Sequence, residues 1–178
     1  ACQNEGLLDL LLEKLLCYPD LLDGRLILFD VIPVAARYLK KSIPNIELAA
    51  SVSDPYDVER FGVMTGGTLM TIDEVIEQSA IYTWVWLDEW DTLDAFGKTK
   101  SLVTRNTIKL LRETGFKIAV VSPELHATSP ALSGDGIHEV GINPELLKSY
   151  WIELGDLNID LLCTDHASWI KDYMNKNV

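Results

Sequence analysis

Four shortages bound what this chain can be. Cysteine occurs three times, as Cys2, Cys17 and Cys163, an odd number without metal-ligand spacing. That argues against a disulfide framework or a zinc site and makes a reducing compartment, the cytoplasm, the expected location. Positive charge is scarce. The 15 basic and 27 acidic residues leave a net charge of -12, which speaks against nucleic acid or an anionic membrane as a bulk partner, since both require a positive surface. No apolar run reaches the roughly 18 residues of a membrane span, so no transmembrane segment is expected. The start has no basic region followed by an apolar one, so no export signal is expected either. Histidine is confined to positions 126, 138 and 166.

Apolar residues in short runs are abundant. With 178 residues and 48% hydrophobic content, the chain is long enough for one domain that buries roughly 70% of its unfolded surface. The organising stretch is Tyr82 to Asp91, YTWVWLDEWD, in which an apolar run changes abruptly to Asp88, Glu89 and Asp91. The same pattern recurs in LILFD (26–30), IELAASVSD (46–54), FKIAVVSPE (116–124) and IDLLCTD (159–165). An apolar run ending on a carboxylate is a buried strand whose carboxyl end emerges into a polar site. Strands alternating with helical segments predict an α/β fold of about five βα units on a parallel sheet, a partial (β/α) barrel of TIM type. Ligands then lie outside the carboxyl ends of the strands. Asp30, Asp54, Asp88, Glu124 and Asp165 should therefore share one edge of a curved sheet.

The intervening segments predict helices. Leu7 to Leu16 is leucine-rich and amphipathic, a helix that must cover something. Pro19 and Gly24 bracket a turn. Pro33 occupies a first helical position before Val34 to Lys41. Asp54 precedes Pro55 and predicts a capped short helix ending near Gly62. Thr65 to Thr68 is glycine-rich but lacks the lysine and spacing of a P-loop. Thr71 and Glu74 form a capping box opening a helix to Gln78. Gly115 ends a helix begun near Val103. The loop 127–141 is the expected lid, and helices are expected from Asn143-Pro144-Glu145 and over Ala167 to Met174.

The candidate pocket residues are Asp88, Glu89, Trp90, Ser122, Glu124, His126 and Asp165, all at or just past predicted strand ends. Ser122, Glu124 and His126 bring a hydroxyl, a carboxylate and an imidazole to the end of one strand, the mixture used in proton transfer or phosphate binding. A polar, proline-containing exit loop has the same composition. Asp54 reads as a helix cap ahead of a catalytic group, Asp165 is expected to cap the last helix, and His166 is expected to face outward. Trp84, Trp86 and Trp90 alternate as core and rim packing would require, with Trp90 nearest a pocket. Carboxylates converging on one mouth raise one another's pKa and favour a cation as counter-ion, so weak divalent-cation binding is expected there.

In order, LFDVIP, VSDPYDVERF, VWLDEWD, LLRETGFKIAVVSPELH and IDLLCTDHASWIKDYM resemble the later part of a glycerophosphodiester phosphodiesterase-like barrel, within the superfamily of phosphatidylinositol-specific phospholipase C-like phosphodiesterases. VVSPELH and the terminal D-x-x-C-T-D carry the resemblance furthest. The latter stands where the family has a G-V-D-G-I-I-T-D-x-P-like strand, with His166-Ala167 replacing the usual aromatic-Pro. Asp30 matches the acid of the family's fourth-strand motif and Ile32 stands where its lysine would be. Ser53 matches the serine of the next strand. The family's His-Arg-Gly start, Glu-x-Asp pair and second histidine have no counterpart here, and the start ACQNEG favours a chain cut at its amino end.

The resemblance implies a phosphoric diester hydrolase of lipid metabolism. It would act on a small phosphodiester substrate with a divalent cation, Mg or Ca, and two histidines as acid and base. Of that machinery only Asp30, as a metal ligand, is retained, so the chain alone is expected to be inactive. Its open sheet edges should favour self-association unless covered. Two other readings compete. In a haloacid-dehalogenase-like phosphatase Asp88 would be the nucleophile and Ser122 part of the second motif, with Trp90 where an acid is required. A non-catalytic binding module would keep the barrel scaffold and lose the chemistry.

Overall fold

The computed structural model describes residues 5–90, 96–98, 100–122, 125 and 144–176. Its centre is a parallel sheet of β1 (Ile27–Phe29), β2 (Glu47–Val52), β3 (Leu69–Met70), β4 (Trp84–Leu87), β5 (Lys117–Val121) and β6 (Leu161–Cys163). The path is β1-β2-β4-β5-β6, and β3 pairs with the last two residues of β2 on the side where β1 has ended. Every pairing is parallel. The sheet curls into a half-barrel of five strands, a partial α/β barrel. All five apolar runs form strands, shorter by a few residues than the runs themselves. Leu69–Met70 is an unpredicted addition, a two-residue strand too short to show periodicity.

Seven α-helices are described, besides a single 3-10 turn at Pro19–Leu21: α1 (Glu5–Leu16), α2 (Pro33–Ser42), α3 (Pro55–Phe61), α4 (Ile72–Glu77), α5 (Arg105–Thr114), α6 (Pro144–Asp156) and α7 (Ala167–Lys176). Their ends follow local chemistry. The Asp54 carboxylate accepts from Tyr56 N–H ahead of Pro55. Thr71 and Glu74 complete a reciprocal capping box, and Thr104 accepts from Thr107 N–H; each such cap contributes about 1 kcal/mol. The cap places the start of α5 at Arg105, two residues after the expected Val103. Gly115 ends α5 at φ 99°, in the left-handed region where a side chain would be strained.

The two faces of the sheet are packed differently. Leu48, Ala50, Val52, Val85, Leu87, Ile118 and Val120 point to the helices and meet Leu39, Val75, Ile108 and Leu111 in one core. The leucine-rich α1 contributes Leu15 and the partly buried Leu8, Leu11 and Leu12 to that core, and leaves Leu7 and Leu10 half-exposed. The opposite, concave face carries Ala49, Trp84 and Ala119, with Ile27, Trp86 and Leu161 against them. Burial on both faces is why the strands read as continuous apolar runs. The register aligns Phe29, Ala49, Trp84 and Lys117 in one row across the sheet and Ser51, Trp86, Ala119 and Leu161 in the next.

Candidate functional site

At the amino end of the concave face, Glu47 receives the Trp84 indole N–H at 2.5 Å and Lys117 Nζ at 2.6 Å. The Lys117 ammonium also lies 5.1 Å from the centre of the Trp84 ring. Burial pushes the Glu47 carboxyl up, but Lys117, the indole and the more distant Lys40 outweigh it and hold the carboxyl below its ordinary range. Glu47 and Lys117 thus satisfy each other on this floor.

The carboxyl end is built from the first residues past the strands. Because the strands are parallel, Asp30, Asp54, Asp88 and Asp165 follow β1, β2, β4 and β6 at the same edge, as the sequence pattern predicts. Glu124, the proposed lid 127–141, His126 and His138 lie outside the described residues. Asp54 is a helix cap. Asp165 is exposed, and the hydroxyl of Thr164 accepts from His166 N–H at 3.1 Å. The His166 ring was expected to face outward; it is half-buried and stacks on Trp169 at 4.1 Å and 12°, with Nε2 buried. Ser122 is fully buried and accepts from the Trp151 indole of α6 at 3.1 Å. It continues the parity of Ile118 and Val120, so it belongs to the helix side of β5 rather than to the mouth.

The side chains that do converge are Asp30, Ser51, Thr68 and Asp88. Ser51, Thr68 and Asp88 are buried, whereas Asp30 keeps one side open to solvent at φ 59°. Withheld water pushes the Asp30 carboxyl above its ordinary range, and the charge of Asp88 pushes it further. Hydrogen bonds from Thr68 and Ser51 oppose the rise without cancelling it. A cavity of about 230 Å³ between α1, β1 and α2, lined by Asp30 with Leu8, Leu11, Leu28, Val31 and Leu39, lies beside these residues. Ser51 and Thr68 were not among the sequence candidates. Ser51 sits at a concave position inside an apolar run, and only its parity with Ala49 could have marked it.

A second polar layer supports the first. Ser53 Oγ lies 2.5 Å from the Asp88 carbonyl oxygen and 3.1 Å from Asp57 Oδ2, so its single proton serves one of them at a time. Lys100 donates to Asp57 Oδ1 in an ion pair whose side chains are 5% and 0% exposed. Glu89 accepts from the backbone of Leu102 and Val103, and its burial raises its carboxyl above the usual range. Asp57 and Glu89 thus tether the segment leading into α5 from two sides. Trp90 packs on Phe61 of α3 at 5.1 Å, which places it on the rim. Asp57 and Lys100 went unrecognised because partners 43 residues apart leave no local signature.

Asp30 and Asp88 are the beginning of a cation site and not a complete one. Among the described residues no group of three His, Cys, Asp or Glu side chains could hold a metal ion. Burial and the neighbouring Asp88 charge also raise the Asp30 carboxyl above its ordinary range. The described residues therefore do not fit the cation that the resemblance implies. No described helix is long and apolar enough to cross a membrane.

No protein-family model, no curated protein and no solved structure matches this chain.

Proposed function

We propose that this chain is a phosphodiesterase-like half-barrel whose mouth holds one side of a small glycerophosphodiester-type substrate, and that it is catalytically incomplete alone. The observation that supports this most directly is the convergence of Asp30, Asp88, Ser51 and Thr68 at the carboxyl edge of a barrel arc, the edge at which (β/α) barrels place their ligands. The hydroxyls of Thr68 and Ser51 donate to the Asp30 carboxyl and orient it at the mouth. Hydrolysis also needs an acid and a base on opposite sides of phosphorus, and the described mouth supplies carboxyl groups on one arc only.

The strand order favours this reading over the phosphatase. Apart from the two-residue β3, which pairs back on the β1 side of β2, the strands β1, β2, β4, β5 and β6 follow one another in chain order, without the reversal that marks the ligand site of a doubly wound sheet. The binding module stays in play because the described carboxylates do not complete a metal site.

Titrating the chain with glycerophosphocholine, followed by NMR of the amides at 51, 68 and 88, tests the proposal. Weak binding that Asp88→Ala removes, with no release of glycerol phosphate, is expected. Release by this chain alone would overturn its incompleteness, and absence of binding would overturn the phosphodiester reading. A stable beryllofluoride adduct on Asp88 would establish the phosphatase instead.

A further inference from the structure

The cavity between α1, β1 and α2 is apolar except at one point. Leu8 and Leu11 line it from α1, Leu28 from β1, and Ala35 and Leu39 from α2. Ala35 is buried and supplies only a methyl group, so the space among the leucines stays unfilled. Among the described residues that line it, Asp30 alone is ionisable. Its backbone lies in the left-handed region at φ 59°, a conformation that costs energy for any residue with a side chain and gathers at functional positions. Glycine would relax this turn, so what aspartate adds there is its carboxyl. That carboxyl also takes hydrogen bonds from Thr68 and Ser51 and meets the charge of Asp88, which joins the cavity to the mouth.

Apolar cavities take apolar guests. One of about 150 Å³ holds benzene, so about 230 Å³ corresponds to a body of roughly six to eight carbons. A guest seated there brings its polar end to Asp30, which stands beside a second acid. We infer that the cavity binds a small primary amine, with its apolar body among the leucines and its ammonium on the Asp30 carboxyl. Two acids that do not complete a metal site suffice for an ammonium, because a metal ion demands several ligands whereas an N–H donor needs one carboxylate and gains from its charge. An alcohol would fit the same space but leave Asp30 and Asp88 opposed, and a cation relieves them. The net charge of -12 draws cations toward the chain. The amine carries no phosphoryl group, so the inference does not rest on the phosphodiester reading, and neither result decides the other.

The test is titration of the full chain with the straight-chain amines from ethylamine to decylamine, followed by NMR of the amides at 28, 30 and 35, with hexan-1-ol as the uncharged control. Affinity is expected to rise about fourfold for each added methylene and to level off at about eight carbons, when the cavity is full. Asp30→Asn should weaken hexylamine binding about tenfold and leave that of hexan-1-ol unchanged. Ala35→Leu, which fills the space, should abolish both. Should that variant fail to fold by circular dichroism, the length series on the wild type decides the same point. Four results would overturn the inference: no binding of hexylamine at millimolar concentration, an affinity independent of chain length, hexan-1-ol binding as tightly as hexylamine, or hexylamine binding that Asp30→Asn leaves intact. The second reduces the site to ion pairing at the surface, and the last two reduce it to an apolar void.

Discussion

Each end of the concave face carries a carboxyl group, and the two are shifted in opposite directions. At the floor, Glu47 has a cation and an indole N–H as partners, and its carboxyl is held low. At the mouth, Asp30 has hydroxyl donors and a second carboxylate, and its carboxyl is pushed up. Charges satisfied from within the chain add stability, while charges set against each other cost stability and are relieved by something from outside. In barrels of this type the amino end serves stability and the carboxyl end serves ligands, and the difference between Glu47 and Asp30 gives that division a physical cause.

The sharpest way to break the comparison lies just behind the mouth. Lys100→Met leaves the fully buried Asp57 without its cation and is expected to destabilise the fold by about 3–5 kcal/mol, read as a fall in the urea midpoint. Adding Asp57→Asn should restore much of the loss, because the penalty comes from the uncompensated charge. A smaller effect is expected at the floor. Glu47→Gln should cost about 1 kcal/mol or less at neutral pH, since Lys117 is half exposed and screened. The folded carboxyl is lowered, so its contribution is full above the ordinary glutamate range and is lost as the pH falls through the lower folded value. The gap between wild type and variant should close on acidification.

The smallest effect has the opposite sign. Asp30 is raised on folding, so its charged form penalises the native state above the folded value. Asp30→Asn should therefore slightly raise the urea midpoint at neutral pH, and its advantage should vanish below the ordinary aspartate range. A mouth variant that destabilised at neutral pH, as the floor variant does, would remove the distinction between the two ends.

Much of the scaffold was legible locally. Apolar runs ending on Asp30, Asp54, Asp88 and Asp165 located strands and their carboxyl edge, because burial on both faces leaves a run that only polar residues can end. Asp54, Thr71 and Gly115 marked helix ends through bonds to residues two or three positions away. The site was less legible. Ser122 looked like a mouth residue by position but belongs to the helix layer, because a one-residue change of parity moves a side chain to the other face. Lys100 and Asp57, 43 residues apart, carry no local mark of the buried pair they form.

Sequence alone determined that alternating apolar runs and helices would build a parallel α/β sheet, and that its acids would gather at one edge, since both follow from local periodicity and chain direction. Tertiary structure alone decided which acids are paired and which hydroxyls face the concave side. Those outcomes depend on neighbours far apart in the chain and on the water that packing excludes, and neither quantity is written in any local stretch.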